Sequence, residues 1–167
     1  MSRPGPKKRH ELIAALGMAG RELSAHTVMF HAAVAERMQL GLTDHKAFDF
    51  ILRHGPVSAG ELAEITGLTT GAVTGMIDRL EGTGYVERVR DEKDRRKVLV
   101  CSSLSAARER KCCELFDSLG AGVAKVAGTY TDRDLAVILD FMRRSIDLLR
   151  QETLKLQPDE QKKIRAA

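Results

Sequence analysis

Aromatic residues are scarce in this chain of 167 residues: they make up 4% of it, and tryptophan is absent. Any hydrophobic core must therefore be built mainly from aliphatic side chains. Proline is also rare, with four residues, and apolar residues recur over long segments with helical spacing. Because hydrophobic residues still account for 43% of the chain, a fully disordered protein is excluded. These features predict a mostly helical protein.

Cysteine is nearly as rare as tryptophan. The three cysteines are an odd number without the spacing of a disulfide framework, which favours a reducing compartment. No apolar run approaches the roughly 18 residues of a membrane span. Arg21 and Glu22 also interrupt the segment in which a signal peptide would need its apolar stretch. We therefore expect a soluble, cytoplasmic protein with no membrane partner.

Sequence motifs of catalysis are missing as well. We find no phosphate-cradling glycine loop, no HExxH motif, no nucleophile elbow and no pairing of cysteine with histidine in a plausible local context. His26 and His31 are five positions apart, and His45 and His54 are nine apart, which are poor spacings for a helical chelate. The sequence thus predicts no enzyme, no cofactor and no metal.

What the chain does contain is long amphipathic helices. The first is predicted from about residue 9 to residue 40 and is expected to end at Gly41. Its apolar face is longer than a small domain can cover, so a second copy of the chain is its natural partner. Thr43 is expected to cap a second helix, which ends at Gly55-Pro56.

Two further helices are predicted near the C-terminus. One runs from Ser102 or Ser103 to about Gly128, and the other from Thr131-Asp132, as its cap, to about residue 156. Residues 1 to about 8 are expected to be a frayed basic tail, with a phosphate-contacting arm as the alternative. The polar end from Gln157 to Ala167 is expected to be loose.

The centre of the chain carries the densest local signals. The segment Ser58 to Glu61 has the form of a capping box and opens a short helix. Gly67 is placed to end that helix in the left-handed conformation, and the next helix begins at Thr69 or Thr70. The buried face of this second helix follows from apolar residues at i, i+4 and i+7, namely Val73, Ile77 and Leu80. A short helix, a glycine turn and a second helix predict a helix-turn-helix.

A charged ribbon follows. Tyr85 to Val89 and Val98 to Val100 are predicted to form two strands. From Arg88 to Lys97, six basic residues stand against three acidic ones, which predicts a basic wing tip. An arginine on such a loop can enter an A·T-rich minor groove. Asp94 is expected to hold the guanidinium of Arg96 by a bidentate pair.

Together, the helix-turn-helix and the wing predict double-stranded DNA as a partner. In such motifs the N-terminal residues of the second helix meet phosphates and base edges in the major groove. The candidate DNA-binding residues are Thr69, Thr70, Gly71, Thr74, Arg79, Arg90, Lys93, Asp94, Arg95, Arg96 and Lys97. A winged helix that binds another protein is the alternative, because a charged hairpin is often only a solvated turn. The formal net charge of +4 permits a polyanionic partner without requiring one.

This stretch resembles the MarR family of bacterial transcriptional regulators. The residues that carry the resemblance include Gly67-Leu68-Thr69, Val73-Thr74, Ile77-Asp78-Arg79-Leu80-Glu81, Gly84-Tyr85-Val86 and Asp94-Arg95-Arg96. The resemblance implies a homodimeric repressor with a near-palindromic operator, and an arginine that Asp94 and Arg96 place in the minor groove. The expected fold is mostly α with a small antiparallel β wing. Residues 41–102 form the winged helix-turn-helix, and residues 1–40 and 103–167 supply the dimerisation helices.

The resemblance also implies a small lipophilic or phenolic effector between the dimerisation helices and the DNA-binding lobe. By position, its lining would be Phe30, Val34, His45, Phe48 and Phe116, which can equally be ordinary core residues. A metal- or redox-responsive regulator is the alternative. No cysteine precedes Cys101, so the peroxide sensing of some relatives does not transfer, and Cys112 and Cys113 are expected to be buried structural thiols.

Gly75 departs from the family pattern, because many members carry an arginine at this position. With Gly71 nearby, the DNA-facing side of the second helix is short of long donors. Base readout is then expected to depend on Thr70, Thr74, close backbone approach and DNA shape.

Overall fold

The computed structural model describes residues 6–156. Most of the expected basic tail and the whole of the expected loose C-terminal end lie outside the described residues, although helix already begins at Pro6. The described part contains six helices and three strands, in chain order α1 (Pro6–Arg37), α2 (Leu42–His54), β1 (Val57–Ser58), α3 (Ala59–Thr66), α4 (Thr70–Gly82), β2 (Val86–Arg90), β3 (Val98–Ser102), α5 (Ala106–Ala127) and α6 (Asp132–Leu156). The expected class, mostly helical with a small antiparallel wing, is confirmed.

The hydrophobic core lies in the lobe formed by α2, α3, α4 and the sheet. The predicted buried face of α4 is confirmed: Val73, Ile77 and Leu80 are at most 2% exposed. Met76 completes this face, which packs against Phe48 of α2. Full burial of each such side chain stabilises the fold by about 1.5–3 kcal/mol. The core therefore fixes α4 on the rest of the lobe.

The sheet has three strands in the order β1-β3-β2, all antiparallel. In the wing, Val86 pairs with Ser102 and Arg90 with Val98. The two-stranded ribbon expected from the sequence was thus incomplete, because β1 adds a third strand that pairs Val57 with Val100. A strand of two residues is too short to show the alternation by which strands are recognised.

The first helix ends at Arg37 rather than at Gly41. Gln39 adopts the left-handed conformation, with φ of 56°. The Leu40 N–H donates to the Ala35 carbonyl oxygen at 2.9 Å, which closes a Schellman turn. Because glutamine rarely occupies this conformation, the signal was easy to miss. Gly41 is instead the N-cap of α2, so the expected cap at Thr43 was also wrong.

The flanking helices α1, α5 and α6 expose much of their apolar surface. No residue of α5 or α6 is buried. Helix α5 begins at Ala106, after an N-cap at Ser105, and so starts later than expected from Ser102 or Ser103. The expected cap of α6 is confirmed, because the Thr131 hydroxyl accepts from the Asp134 N–H at 3.3 Å. Among the described residues no helix is both long and apolar enough to cross a membrane.

Candidate nucleic-acid interface

The capping box at the start of α3 is confirmed. The Ser58 hydroxyl accepts from the Glu61 N–H at 3.2 Å, and the Glu61 carboxylate accepts from the Ser58 N–H at 2.7 Å. The Ser58 N–H and the Ser58 hydroxyl, the latter at 2.8 Å, both donate to the Glu61 carboxylate and lower the pKa of Glu61, with the backbone hydrogen bond as the largest cause. Both contacts fix where α3 begins.

The turn into α4 is equally local. Gly67 has φ of 70° and donates its N–H to the Ala63 carbonyl oxygen at 2.9 Å, as expected for a left-handed helix end. The Thr69 hydroxyl then accepts from the Ala72 N–H at 3.3 Å and caps α4. The N-terminus of α4 is therefore presented at the surface, with the capping oxygen of Thr69 already engaged.

One face of α4 is left open by this packing. Thr70, Gly71 and Thr74 are exposed, and Gly75 is half-buried. The Thr74 hydroxyl donates to the Thr70 carbonyl oxygen at 3.0 Å, so its proton is used within the helix. Its oxygen lone pairs and its methyl group remain open to a ligand on the exposed face.

Arg79, another candidate DNA-binding residue, is held by an acidic partner that the sequence did not suggest. Its Nε donates to Asp44 Oδ2 at 2.9 Å, and its Nη2 donates to Asp44 Oδ1 at 2.6 Å. The hydrogen bond and the charge of Asp44 raise the pKa of Arg79. Asp44 is 8% exposed at the start of α2. The two residues are 35 positions apart, so no local pattern could have paired them.

Arg88 joins the base of the wing to α4. Its guanidinium contacts both the Asp78 and the Glu81 carboxylates, and its backbone N–H donates to Glu81 at 3.3 Å. The side chain is 30% exposed. One of the six basic residues counted in the ribbon is therefore paired with carboxylates of α4 and is not a free surface cation.

The wing loop is ordered by its own backbone and side chains. Asp91 Oδ1 accepts from the Lys93 N–H at 2.7 Å and from the Asp94 N–H at 3.2 Å, and these hydrogen bonds lower the pKa of Asp91. Arg90 Nη1 donates to the Arg95 carbonyl oxygen at 2.8 Å. Arg90 therefore braces the loop from one strand.

The expected bidentate pair between Asp94 and Arg96 is not formed. Asp94 Oδ1 instead accepts from the backbone N–H of Arg96 at 3.1 Å, because an aspartate bonds readily to the amide two residues on. Within residues 6–156, five exposed wing cations enter no ion pair: Arg90 at the end of β2 and, in the tip loop, Lys93, Arg95, Arg96 and Lys97. The wing tip thus presents a net positive charge, with four basic residues against the three acidic residues Asp91, Glu92 and Asp94.

The candidate ligand residues divide into two groups. Val34 and Phe48 are 5% and 1% exposed and belong to the hydrophobic core. Phe48 packs edge-on against Tyr85, with ring centroids 4.9 Å apart. The core interpretation that the sequence left open is therefore the better one for these two residues.

The other three residues come together. The ring centroids of Phe30 and Phe116 lie 5.6 Å apart, and those of His45 and Phe116 lie 6.3 Å apart. His31, which the sequence analysis did not select, joins them: its Nδ1 lies 3.3 Å from His45 Nε2. We call Phe30, His31, His45 and Phe116 the aromatic–imidazole cluster. It joins α1, α2 and α5.

Of the two imidazoles of this cluster, His45 is buried and His31 is partly buried. Burial is the largest cause that lowers the pKa of both His31 and His45, and Lys46 lowers that of His31 further. His45 is 1% exposed, and among the described residues its Nδ1 has no hydrogen-bond partner. The uncharged form of the pair is therefore favoured.

A groove of about 730 Å³ runs between α5 and α6 beside this cluster. It shares only Phe30 with the candidate ligand residues and is otherwise lined by side chains such as Leu119, Val123 and Ile138.

The thiols of Cys112 and Cys113 lie outside this groove. Cys112 is half-buried, whereas Cys113 is exposed, although the sequence predicted that both are buried. The described residues contain no group of three or more His, Cys, Asp or Glu side chains that could hold a metal.

A capped helix-turn-helix whose second helix exposes one face, beside a wing of unpaired cations, defines a winged helix-turn-helix protein. A model of the MarR family matches residues 38–97. The chain is 38% identical to the HTH-type transcriptional regulator YcgE of Bacillus subtilis over 136 residues, which is 81% of this chain and 87% of that protein. The chain belongs to the MarR family.

Solved structures agree on the fold. A MarR family protein from Bacillus stearothermophilus matches with a TM-score of 0.62 at 23% identity, over 84% of this chain and 96% of that one. Wild-type MarR from E. coli matches with a TM-score of 0.54 at 21% identity, over 78% and 96%. Regulators of this family bind DNA. The chain is a DNA-binding transcriptional regulator, a class distinct from enzymes.

Proposed function

We propose that the chain is a homodimeric repressor that binds a near-palindromic operator and is released by a small lipophilic or phenolic ligand. One observation carries the proposal. The four unpaired cations of the wing tip stand on the same lobe as the exposed N-terminal face of α4. Such a pairing suits a duplex, whose phosphates attract cations while the major groove admits a helix.

The flanking helices support the dimer. Leu16 of α1, Val123 of α5 and Phe141 of α6 are 53%, 59% and 53% exposed. Large apolar side chains exposed to this extent indicate a protein interface in a folded chain. We propose that α1 and residues 103–167 pair with their counterparts in a second copy. A two-fold dimer of this kind matches a near-palindromic operator.

In this arrangement two copies of α4 enter successive major grooves, about 34 Å apart. Thr69, Thr70 and Gly71 lie at the N-terminus of α4, where backbone N–H groups suit a phosphate. The Thr74 methyl group suits a thymine methyl. The wing cations then approach the flanking minor groove, with Arg96 as its reader. Arg90 shapes the loop that presents them.

The aromatic–imidazole cluster is the feature that supports the proposed ligand site. It lies where two flanking helices, α1 and α5, meet α2 of the lobe. His45 Nδ1 lacks a partner among the described residues and suits a phenolic hydroxyl. A ligand wedged there would favour a different angle between lobe and flanking helices. The fall in operator affinity would be set by the ratio of the ligand's affinities for the two arrangements of the lobe and the flanking helices.

The test begins with duplexes that the wild-type protein selects from random-sequence DNA. Replacement of Arg96 by alanine (Arg96→Ala) is expected to weaken binding of the selected duplex by roughly 1–3 kcal/mol per site. Fluorescence anisotropy of the labelled duplex measures this loss. Arg133→Ala, an exposed arginine on α6, is the matched control and should leave the affinity unchanged.

The salt dependence separates the two candidate functions. DNA binding through several phosphates should weaken steeply between 50 and 200 mM salt, by about 10³-fold or more for six contacts. Equal affinity at both concentrations would contradict DNA binding and favour a winged helix that binds protein.

For the ligand, 4-hydroxybenzoate is a suitable phenolic probe. It should weaken binding by the wild type more than by His45→Phe, and an equal effect on both would reject the cluster as its site.

A further inference from the structure

The recognition helix α4 has a long donor despite the glycine at position 75. A Cβ atom built on Gly75 would lie 3.7 Å from Arg79 Nη1. Side chains of a helix lean toward its N-terminus, so the Arg79 guanidinium reaches back one turn and lies over Gly75. The guanidinium therefore lies within van der Waals contact of the Cβ position at residue 75, next to the space that a long side chain there would share.

Asp44 fixes the orientation of this guanidinium. It engages Nε at 2.9 Å and Nη2 at 2.6 Å, which are the two donors along one side of the fork. The end-on edge, made of Nη1 and the second Nη2 hydrogen, carries no other hydrogen bond within the described part of the chain. The Arg79 side chain is 61% exposed, whereas that of Asp44 is 11% exposed. The clamp is thus on the protein side and the unused edge is on the solvent side.

Asp44 is well placed to act as this clamp. It lies in the first turn of α2, where the helix dipole favours a carboxylate. A bidentate arginine–carboxylate pair also has little freedom to rotate. An arginine held in this way loses less conformational entropy when it binds a second acceptor pair than a freely moving side chain would.

We propose that Asp44 and Gly75 position Arg79 as a DNA-contacting residue, which donates its end-on edge to an acceptor pair on the operator. The acceptors are two phosphate oxygens or the O6 and N7 atoms of guanine, and both match this edge. The inference rests on the proposed operator binding. It also changes the role expected of Gly75. The sequence predicted that this glycine lets the backbone approach DNA closely, whereas here it leaves room for the Arg79 side chain.

The decisive variants are Gly75→Gln, Arg79→Met and their combination. Glutamine at position 75 should displace the guanidinium while improving helix propensity, so operator affinity falls about fivefold or more without a lower Tm. Arg79→Met should cause a similar loss, and the double variant should lose no more than Arg79→Met alone. Additive losses would mean that the introduced glutamine itself collides with DNA, which would overturn the inference.

Gly75→Ala is the matched control for this series. Its Cβ would meet Arg79 Nη1 at 3.7 Å, an ordinary van der Waals contact. The loss of affinity should therefore be smaller than for Gly75→Gln, and Tm should rise because alanine favours helix. A fivefold loss would show that the glycine serves close backbone approach, which would overturn the role assigned to it.

Asp44→Asn tests the positioning role by the sign of its effect. Removal of a negative charge close to DNA should by itself tighten binding. Loss of the clamp should instead weaken it, by about twofold to tenfold in the selected duplex. Tighter binding by Asp44→Asn would overturn the positioning role. The positioning role would also be overturned if Arg79→Met bound the operator with wild-type affinity and differed from the wild type only by a lower Tm.

Salt and sequence dependence then identify the acceptor pair. If Arg79 binds phosphate, Arg79→Met lowers the slope of log affinity against log salt by about 1 per contact and weakens all sequences alike. If it reads guanine, the variant loses its preference at one base pair per half-site. Either result supports the inference. Should the wild type select no duplex at all, the proposed function fails first, so the two failures are distinguishable.

Discussion

The winged lobe and the flanking helices use similar amphipathic patterns to different ends. In the lobe, α4 buries Val73, Met76, Ile77 and Leu80 against its neighbours, each at most 2% exposed. Helices α5 and α6 have equally regular apolar stripes but bury none of their residues in the isolated chain. An apolar stripe thus indicates that a helix face packs against another surface. It does not indicate whether that surface belongs to the same chain or to a partner.

The largest expected effect tests whether the winged lobe is stabilised by its own hydrophobic core. Leu80 is 0% exposed, so Leu80→Ala should lower the free energy of unfolding by about 2–5 kcal/mol. Urea unfolding followed by circular dichroism measures this loss. The matched variant is Leu149→Ala on α6, where leucine is 66% exposed. With both changes made in a Phe141→Glu background, which is expected to be monomeric, Leu149→Ala should cost less than Leu80→Ala, and an equal or larger cost would overturn the contrast between the two regions.

The next effect tests what covers the flanking helices. Phe141 is 53% exposed, and Phe141→Glu would place a charge in the apolar face of α6. We expect the dimer to dissociate, as measured by analytical ultracentrifugation, and affinity for the selected duplex to fall at least about tenfold because the two half-sites are no longer joined. Arg143→Glu on the same helix is the control. A dimer that survives Phe141→Glu would place the interface elsewhere.

The smallest effect tests the junction between the two regions. The pKa of His31 and of His45 is lowered in the folded chain, chiefly by burial, so the unfolded chain binds more protons below pH about 6.5. The stability that the uncharged pair contributes is present above that pH and is lost as the pH falls toward the folded pKa values. Tm should therefore drop between pH 7.5 and 5.5, and His31→Gln should reduce the drop. An unchanged drop in that variant would exclude His31 as its source.

Local signals were enough to predict the helix-turn-helix. Ser58 and Glu61 form their capping box within four residues, and Gly67 ends α3 because it tolerates a positive φ. The buried stripe of α4 depends only on helical spacing. These interactions act between residues close in the chain, so they leave a pattern that the sequence shows directly. The division into three segments at residues 41 and 102 stays a prediction.

Contacts between distant residues left no such pattern. The pair of Asp44 with Arg79 spans 35 positions, and the contact of His31 with His45 spans 14. Strand β1 was missed because its two residues are defined by their pairing with β3. The bidentate pair expected of Asp94 and Arg96 was wrong because the aspartate bonds to a nearby backbone amide.

The sequence by itself determined the order of the helices and of the two wing strands, the caps of α3 and α4, and the basic character of the wing, since each depends on neighbouring residues and their intrinsic preferences. The tertiary structure alone decided which cations of the wing and α4 are paired with a carboxylate and which are not. Arg88 and Arg79 have the same chemistry as Arg96, but packing brings carboxylates to the first two and leaves the third without one. Charge is a property of the residue, whereas its availability to a partner depends on what the fold places within hydrogen-bonding distance.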